Sequence, residues 1–214
     1  MRKSQLILPL VLLTLTLGLS ACGARASADA DISSIPEDNI LRLGGQISAY
    51  NTLPEIFDCA DYVVVCEVTS RGDSYLIDGG ELTTGMPHDE IMKELIDLRT
   101  PYEIKVLESF KGDLAPNDSF TVLGLNGIID SYAVDTVFPD LEVGGVYLLP
   151  ICVASEYEAY PYLQGAARLD GYDSAHAISD NGGAAVKTLM YDPPYQEISN
   201  VSELTDTVAG LSDE

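Results

Sequence analysis

The chain has 214 residues, of which 46% are hydrophobic, and its formal net charge is −23. This length is sufficient for one domain with a buried core. A surface this negative repels the phosphate backbone of nucleic acids, so the sequence predicts no nucleic-acid partner and favours cations instead. Four cysteines in a chain of this length exclude the class of small secreted proteins that depend on dense disulfides.

The first residues have the parts of a bacterial export signal. Arg2 and Lys3 form a basic start, and residues 6–19 are almost wholly apolar. This run has the length of the apolar region of a signal peptide and is shorter than the ~20 residues that a membrane-spanning helix needs. It ends in a motif that resembles the lipobox of bacterial lipoprotein precursors, Leu19-Ser20-Ala21-Cys22.

The lipobox resemblance implies a chemical modification and a location. In that family the thiol of Cys22 receives a diacylglyceryl group, the bond between Ala21 and Cys22 is cut, and the new amine is acylated, for example with palmitate. Two acyl chains hold a protein stably on a membrane where a single chain is marginal. The expected location is therefore the extracytoplasmic face of a cell membrane. The alternatives are an ordinary secretory signal with a chance cysteine at its end, and an uncleaved membrane helix.

The composition divides the chain into three segments. Residues 1–21 are the predicted signal peptide. Residues 22–50 are small, polar or acidic without sustained periodicity, which predicts a flexible tether behind the lipidated cysteine. Residues 51–214 contain the alternating and helical apolar patterns and are therefore the predicted globular domain. Because strand-like alternation is common there, we expect a single, mainly β domain.

Three helices are predicted in this domain. Thr52 and Glu55 have the spacing of a capping box, which predicts a short helix at the start of the domain. Apolar residues at helical spacing predict an inserted helix over residues 87–98. Asn200 is expected to cap a C-terminal helix over residues 200–211.

Strands are predicted between these helices. Residues 61–69 give the strongest signal, because alternate positions form a wholly apolar face. Residues 146–153 are apolar on both faces, as in a strand that is buried on both sides. Residues 160–169 are a weaker strand, since Pro161 and Gly165 suit an edge or a bend. Further strands are expected at residues 102–106 and 118–125, with a long connection over residues 126–145.

The order of these strands resembles a known barrel. Ala60-Asp61 precedes the Val-rich strand, residues 102–106 lead to Lys111-Gly112, and strands at residues 118–122 and 146–149 follow. This series is similar to small secreted barrels of the OB-fold type, in particular the metalloproteinase-inhibitor and netrin-like group. It is equally similar to uncharacterised envelope lipoproteins of Gram-positive bacteria. The resemblance implies a closed or partly open OB-like β-barrel on a Gram-positive cell surface.

One property of the metalloproteinase inhibitors does not carry over. Their N-terminal cysteine chelates the zinc of the target protease, and disulfides fix that cysteine against the barrel. Here Cys22 is expected to carry lipid and to precede a tether, and the other cysteines are only Cys59, Cys66 and Cys152. Inhibition by that mechanism is therefore not expected. Cys66 and Cys152 either form a bridge between two strands or remain free thiols.

Catalytic motifs are missing from the sequence. It contains no Gly-x-Ser-x-Gly elbow, phosphate-binding loop or His-Glu-x-x-His motif. His88 and His176, the only histidines, lie among Asp, Gly and Ser in predicted loops. No catalytic residue is assigned and no cofactor is expected. An alternative is a hydrolase, for example a wall-modifying enzyme, whose carboxylates meet only in the fold, with these candidates: Asp61, Glu67, Glu103 and Glu108.

Two surface features are candidates for binding. Two pairs of carboxylates, Asp78 with Glu81 and Asp170 with Asp173, lie on glycine-containing turns, where oxygen ligands suit calcium. Both pairs also fit ordinary solvated turns. Tyrosines suit contact with peptide or glycan and also cross-strand packing. Four of them concentrate near one predicted edge: Tyr147, Tyr157, Tyr160 and Tyr162.

Two classes of function are consistent with these features. The first is a non-enzymatic binding module that is anchored through lipid on Cys22 and contacts an envelope protein, a peptide or a glycan. The second is the hydrolase with carboxylates assembled in the fold. The missing catalytic motifs favour the first class.

Overall fold

The computed structural model describes residues 32–44, 52–156, 158–163, 165–190 and 200–209. The predicted signal peptide and Cys22 lie outside these ranges. The strands are β1 (Ile40–Leu43), β2 (Tyr62–Arg71), β3 (Tyr75–Leu76), β4 (Leu98–Lys111), β5 (Ser119–Gly124), β6 (Gly127–Ile129), β7 (Tyr132–Thr136), β8 (Val146–Ser155), β9 (Glu158–Pro161), β10 (Ala167–Asp170) and β11 (Ala185–Thr188). The α-helices are α1 (Leu53–Cys59), α2 (His88–Glu94) and α3 (Val201–Ala209), and short 3-10 helices occupy Ile32–Ser34, Glu37–Asn39, Leu95–Asp97 and Ile178–Asp180. The prediction of a mainly β protein is confirmed.

The larger sheet is built around β2. This strand pairs antiparallel with β4 along one edge and with β8 along the other. β3 and β5 continue the sheet beyond β4, while β9, β10 and β11 continue it beyond β8. The register between β2 and β4 shifts at three places, between Val63 and Val64, between Val65 and Cys66, and between Val68 and Ser70. Such bulges bend a strand and increase its twist, and the sheet here curls into an open half-barrel.

Both faces of β2 are buried. Val64, Cys66 and Val68 point into the half-barrel, and Val63 and Val65 point to its outer side; all five are fully buried. The strand predicted at residues 61–69 is confirmed. The two-sided burial predicted for residues 146–153 is confirmed for residues 147–151 of β8, whereas Val153 is exposed. One apolar face was recognised in β2 from the sequence, but the structure covers the other as well.

Helices α1 and α3 provide that cover. The hydroxyl of Thr52 accepts a hydrogen bond from the Glu55 backbone N–H at 3.4 Å, as the capping box predicted. The amide oxygen of Asn200 accepts one from the Glu203 backbone N–H at 2.9 Å at the start of α3. The buried side chains of the two helices pack against the outer side of the half-barrel: Ile56, Phe57, Leu204 and Val208. Both predicted caps are therefore confirmed.

A smaller sheet packs beside the half-barrel. β1 pairs in parallel with β7, and β7 pairs antiparallel with β6. The predictions for these segments were wrong, since residues 40–43 were assigned to the tether and residues 126–145 to a connection. Strands this short carry too little periodicity to be recognised, and β1 pairs with a strand that is distant in the chain. The predicted inserted helix is confirmed as α2, which the following 3-10 turn extends to Asp97.

The strand predicted at residues 160–169 is divided in two. β9 ends at Pro161 and β10 begins at Ala167, with Gly165 between them. A Cβ atom on Gly165 would lie 2.9 Å from Cγ2 of Ile56, so the chain passes under α1 at a distance that only glycine allows. The prediction of an edge or a bend at Pro161 and Gly165 is confirmed at both residues.

Candidate binding groove at the barrel seam

β5 and β9 are the two free edges of the half-barrel. In the described part of the chain β5 pairs with β4 and β9 pairs with β8, and no register joins β5 to β9. The two strands run parallel, because each is antiparallel to a strand that is itself antiparallel to β2. Their Cα atoms nevertheless come within 8 Å of each other. We call the line between β5 and β9 the seam.

The backbone of β5 offers hydrogen-bonding groups to the seam. The N–H of Val106 donates to the carbonyl of Asp118 at 2.9 Å, and the Val106 carbonyl accepts from the N–H of Asn117 at 2.8 Å, so the ladder of β4 and β5 starts with a hydrogen-bonded position at Val106. Hydrogen-bonded pairs recur at every second residue of an antiparallel ladder. The residues between them direct their N–H and C=O groups away from β4 and towards the seam, namely Ser119, Thr121 and Leu123.

The edge of β9 is a poorer partner. The N–H of Tyr162 donates to the carbonyl of Pro150 at 2.8 Å, which by the same alternation directs Ala159 and Pro161 towards the seam. Pro161 has no N–H and cannot donate to a ladder. This missing donor explains why two parallel edges can approach each other without forming a continuous sheet.

A groove of about 570 Å³ opens over the seam. Its apolar lining comes from four strands of the half-barrel and from β3: Tyr62, Tyr75, Phe120, Leu123, Val153 and Ala159. Its polar lining comes from β5, the end of β8 and the start of β9: Ser119, Thr121, Ser155, Glu156 and Glu158. An apolar concavity with a few polar groups at its margin is the usual form of a ligand site.

Two aromatic rings form one wall of the groove. The rings of Tyr62 and Phe120 meet edge to face, with centroids 5.4 Å apart and an interplanar angle of 67°. Burial raises the pKa of the Tyr62 phenol, and the negative charge of Asp113 raises it further, so this side chain is neutral at physiological pH. Two other lining residues are exposed, Val153 by 37% and Tyr75 by 40%. The groove therefore presents apolar surface to solvent.

Gly112 lies directly behind the Tyr62 ring. This glycine follows β4 and has a φ of +91°, and a Cβ atom at its position would lie 2.1 Å from Cδ1 of Tyr62. It would also lie 2.9 Å from the backbone carbonyl of Asp61, so no other amino acid fits there unless Tyr62 and that carbonyl both shift. Gly112 therefore leaves the space that an aromatic ring of the groove occupies.

One side-chain bridge crosses the seam. Nε of Arg99, in β4, donates to the hydroxyl of Tyr160, in β9, at 3.3 Å, and the guanidinium lies 5.6 Å from the centroid of the same ring. The Tyr160 hydroxyl in turn donates to Glu158 at 3.1 Å. Burial raises the pKa of Tyr160. Glu158, which lines the groove, is therefore held by a neutral phenol.

The structure separates the four tyrosines that the sequence grouped together. Tyr147 is only 1% exposed, and its hydroxyl accepts a hydrogen bond from the Glu142 backbone N–H at 3.0 Å, so its assignment to a binding surface was wrong. Tyr162 packs with residues of α1 on the outer side of the half-barrel. Tyr160 lies beside the groove, and Tyr157 lies outside the described residues.

The aromatic residues of the groove itself were not found from the sequence. Tyr62 and Phe120 occupy inward-facing positions of their strands and look like ordinary core residues in the alternating pattern. Tyr75 belongs to a strand of only two residues. Nothing in the local pattern indicates that the half-barrel opens at these positions.

The carboxylates proposed for the hydrolase have different partners in the structure. The carboxylate of Asp61 accepts from the backbone N–H of Val153 at 2.7 Å, and that of Glu103 accepts from the Thr121 hydroxyl at 2.5 Å. Glu67 lies opposite Lys105 in the ladder of β2 and β4. Glu108 accepts from the hydroxyl of Tyr172 and from the backbone N–H of Ile178, each at 3.0 Å. Each carboxylate stabilises a different part of the fold.

The calcium candidates are also dispersed. Asp170 pairs with Arg168 at 2.6 Å, while Asp173 accepts from the Ala175 backbone N–H at 2.9 Å and contacts Nδ1 of His176 at 2.8 Å. Asp78 and Glu81 are exposed beside a turn. Over the described ranges, no group of three or more His, Cys, Asp or Glu side chains is arranged to hold a metal ion.

The cysteines Cys66 and Cys152 are too far apart for a bridge. Cys66 lies opposite Tyr147 on β8, and Cys152 lies further along that strand, roughly 16 Å away at about 3.3 Å per residue. A disulfide needs Cα atoms about 4.4–6.8 Å apart. Both thiols are free, as is that of Cys59. Burial raises the pKa of the Cys66 thiol, which therefore remains protonated and unreactive.

A second, smaller cleft of about 260 Å³ lies where β2 leads towards β3, against β6. Arg71, one of its lining residues, pairs with Asp140 at 3.6 Å and lies 5.7 Å from the centroid of the Tyr102 ring. These contacts join the half-barrel to the neighbouring loops. We interpret this cleft as structural.

No protein-family model matches the chain, and no curated protein matches it significantly. None of the helices in the described ranges is both long enough and apolar enough to cross a membrane. The candidate site is therefore assigned from the geometry of the chain itself, and it is the seam groove.

Proposed function

We propose that the chain is a membrane-anchored envelope lipoprotein that acts as a non-enzymatic binding module, with its ligand in the seam groove. The observation that carries this proposal is the position of the groove over two strand edges that no other strand completes in the described part of the chain. Its apolar walls offer area to a ligand, and the polar groups at its margin can orient that ligand.

The barrel is, in this proposal, of the OB type. β2, β4 and β5 form a meander, and the hairpin of β8 and β9 pairs with the other edge of β2. The seam then completes a ring of five strands in the order β2, β4, β5, β9, β8. A five-stranded, partly open barrel is the form of the OB fold, which binds ligands across its strands and loops. The negative charge of the chain opposes an oligonucleotide as that ligand.

The chemistry of the groove supports binding over catalysis. Among its lining residues the ionisable carboxylates are Glu156 and Glu158, and Glu158 is already bound to Tyr160. The lining contains no histidine or cysteine in the described ranges that would act as a base or nucleophile.

Membrane anchoring rests on the lipobox at Cys22 and is tested at that residue. Replacing Cys22 with Ala removes the thiol that would receive the diacylglyceryl group. We expect the protein to leave the membrane fraction and appear in the soluble fraction. If the variant partitions to membranes as the natural chain does, the prediction of lipidation at Cys22 is wrong.

The groove is tested by filling it. Ser119 is exposed and lines the groove, so Ser119→Trp adds a bulky ring there without removing core atoms. Ser70 is an exposed serine of β2 outside the lining, and Ser70→Trp is the matched control. We expect the immobilised full-length chain and the control to retain the same envelope component, and Ser119→Trp to lose it. Equal retention by both variants, or no retention by the natural chain, overturns the proposal.

A further inference from the structure

We propose that the ligand of the seam groove is an extended peptide segment that inserts a Lys or Arg side chain. This inference rests on the proposed function and specifies the chemistry of its ligand. It combines the charge of the groove lining with its aromatic surface.

The charge of the groove is negative. Glu156 and Glu158 are the charged residues of its lining, and no basic residue lines it within the described chain. Glu156 is exposed and Glu158 is half-buried. The Tyr160 hydroxyl bonds to Oε2 of Glu158, so Glu156 and Oε1 of Glu158 can accept from a cation that enters from solvent. The net charge of −23 adds a field of the same sign, which attracts a basic segment and repels an acidic one.

The aromatic surface suits the same ligand. An ammonium or guanidinium group is attracted to the face of a tyrosine or phenylalanine ring within about 6 Å. Tyr75, which exposes 40% of its surface, and the Tyr62–Phe120 pair all line the groove. The methylene groups of a Lys or Arg side chain can pack on these rings while the charge reaches the carboxylates.

The spacing of the seam determines how a ligand lies on it. A strand inserted between β5 and β9 would need them about 9.6 Å apart, twice the spacing of neighbouring strands. Since Cα atoms of β5 and β9 come within 8 Å, no strand fits between them, and the segment lies over the seam and contacts the groove through its side chains. A peptide with a Lys or Arg residue supplies a cation to the carboxylates of the lining, which a neutral glycan lacks.

The experiment compares two blocked pentapeptides that differ in one charge. The probes are Val-Thr-Lys-Thr-Val and the same peptide with acetyl-lysine, titrated into the full-length chain by calorimetry. We expect the lysine peptide to bind roughly five- to tenfold more tightly, because acetylation removes the ion pair and the cation–π contact. We expect added salt to reduce this preference. The double variant Glu156→Gln, Glu158→Gln should abolish it, while Glu90→Gln, Glu94→Gln on α2 should preserve it.

The outcomes separate this inference from the proposed function. If both peptides bind equally and Ser119→Trp blocks them, the groove binds peptides without selecting a cation and the inference is wrong. A second outcome is that neither peptide binds, while the natural chain retains an envelope component and Ser119→Trp does not. A third is that a neutral N-acetylglucosamine oligomer binds in place of the peptides. In either case the peptide ligand is wrong, and the proposal of the groove as the binding site stands. If Ser119→Trp changes neither the binding of the peptides nor the retention of the envelope component, both proposals fail.

Discussion

The two long sides of the half-barrel differ in how they are completed. On one side, β2 is paired along both edges and buried on both faces, between the barrel interior and the helices α1 and α3. On the other side, β5 and β9 each have one partner and a free edge within the described chain, and the groove between them exposes aromatic and aliphatic side chains. We call the first region, β2 together with the residues of β8 that pair with it, the covered wall.

This difference separates stability from recognition. In the covered wall the large side chains are removed from water, so their substitution costs packing and transfer free energy. At the seam, apolar groups still face solvent, so their burial by a ligand remains available as binding free energy. Substitutions in the two regions should therefore affect different measurements.

The largest expected effect is in the covered wall. Leu149 in β8 is fully buried inside the half-barrel, and Leu149→Ala should lower the free energy of unfolding by about 2–5 kcal/mol through lost burial and the cavity left behind. Val153, further along the same strand and 37% exposed, is the control, and Val153→Ala should cost under about 1 kcal/mol. Urea denaturation of the two variants measures both values. Equal losses would contradict the distinction between the covered wall and the seam.

An intermediate effect is expected at Gly112, which links the two regions. Gly112→Ala combines a strained positive φ with a clash against the Tyr62 ring, so we expect a loss of about 2–4 kcal/mol and weaker ligand binding in the groove. Gly144 has a φ of +80°, and a Cβ atom added there would meet nothing within 4 Å, so Gly144→Ala reports the backbone strain alone, about 1 kcal/mol. The difference between the two losses measures the clash. Similar losses would show that Tyr62 adjusts freely.

The smallest expected effect is at Asp173, in the loop before Ile178, which packs on the outer side of the half-barrel. Hydrogen bonds from the Ala175 backbone N–H and from His176 hold the pKa of this carboxyl below its ordinary value. A lowered folded-state pKa contributes stability above the unfolded-state pKa of about 3.9, and this contribution is lost as the pH falls through the lowered pKa. Asp173→Asn should therefore be slightly less stable than the natural chain at about pH 5, and the difference should shrink towards about pH 3.

The control for this measurement is Asp180→Asn, which removes the same charge from an exposed position of the same loop. Denaturant midpoints at the two pH values give the comparison. A difference for Asp173→Asn that is unchanged on acidification, or that grows, would contradict the assignment of these hydrogen bonds to the charged carboxylate.

The covered wall was largely predictable, because its signals are local. The alternation in β2, the two-sided apolar run of β8 and the caps at Thr52 and Asn200 each depend on residues that are close in sequence. Burial and hydrogen bonding repeat with the period of the element, so the pattern can be read without knowing the partner. The lipobox at Cys22 is a local signal of the same kind, and it remains a prediction.

The seam could not be predicted in the same way. Whether Tyr147 is a surface or a core residue, and whether Cys66 can reach Cys152, depends on the register between β2 and β8. The groove depends on how far the sheet curls and on which edges then face each other, and no short segment records this. The amino-acid sequence by itself thus determined the longer strands, the caps and the negative charge. The tertiary structure decided which short strands form and which edges stay open, because that outcome depends on contacts between residues far apart in the chain.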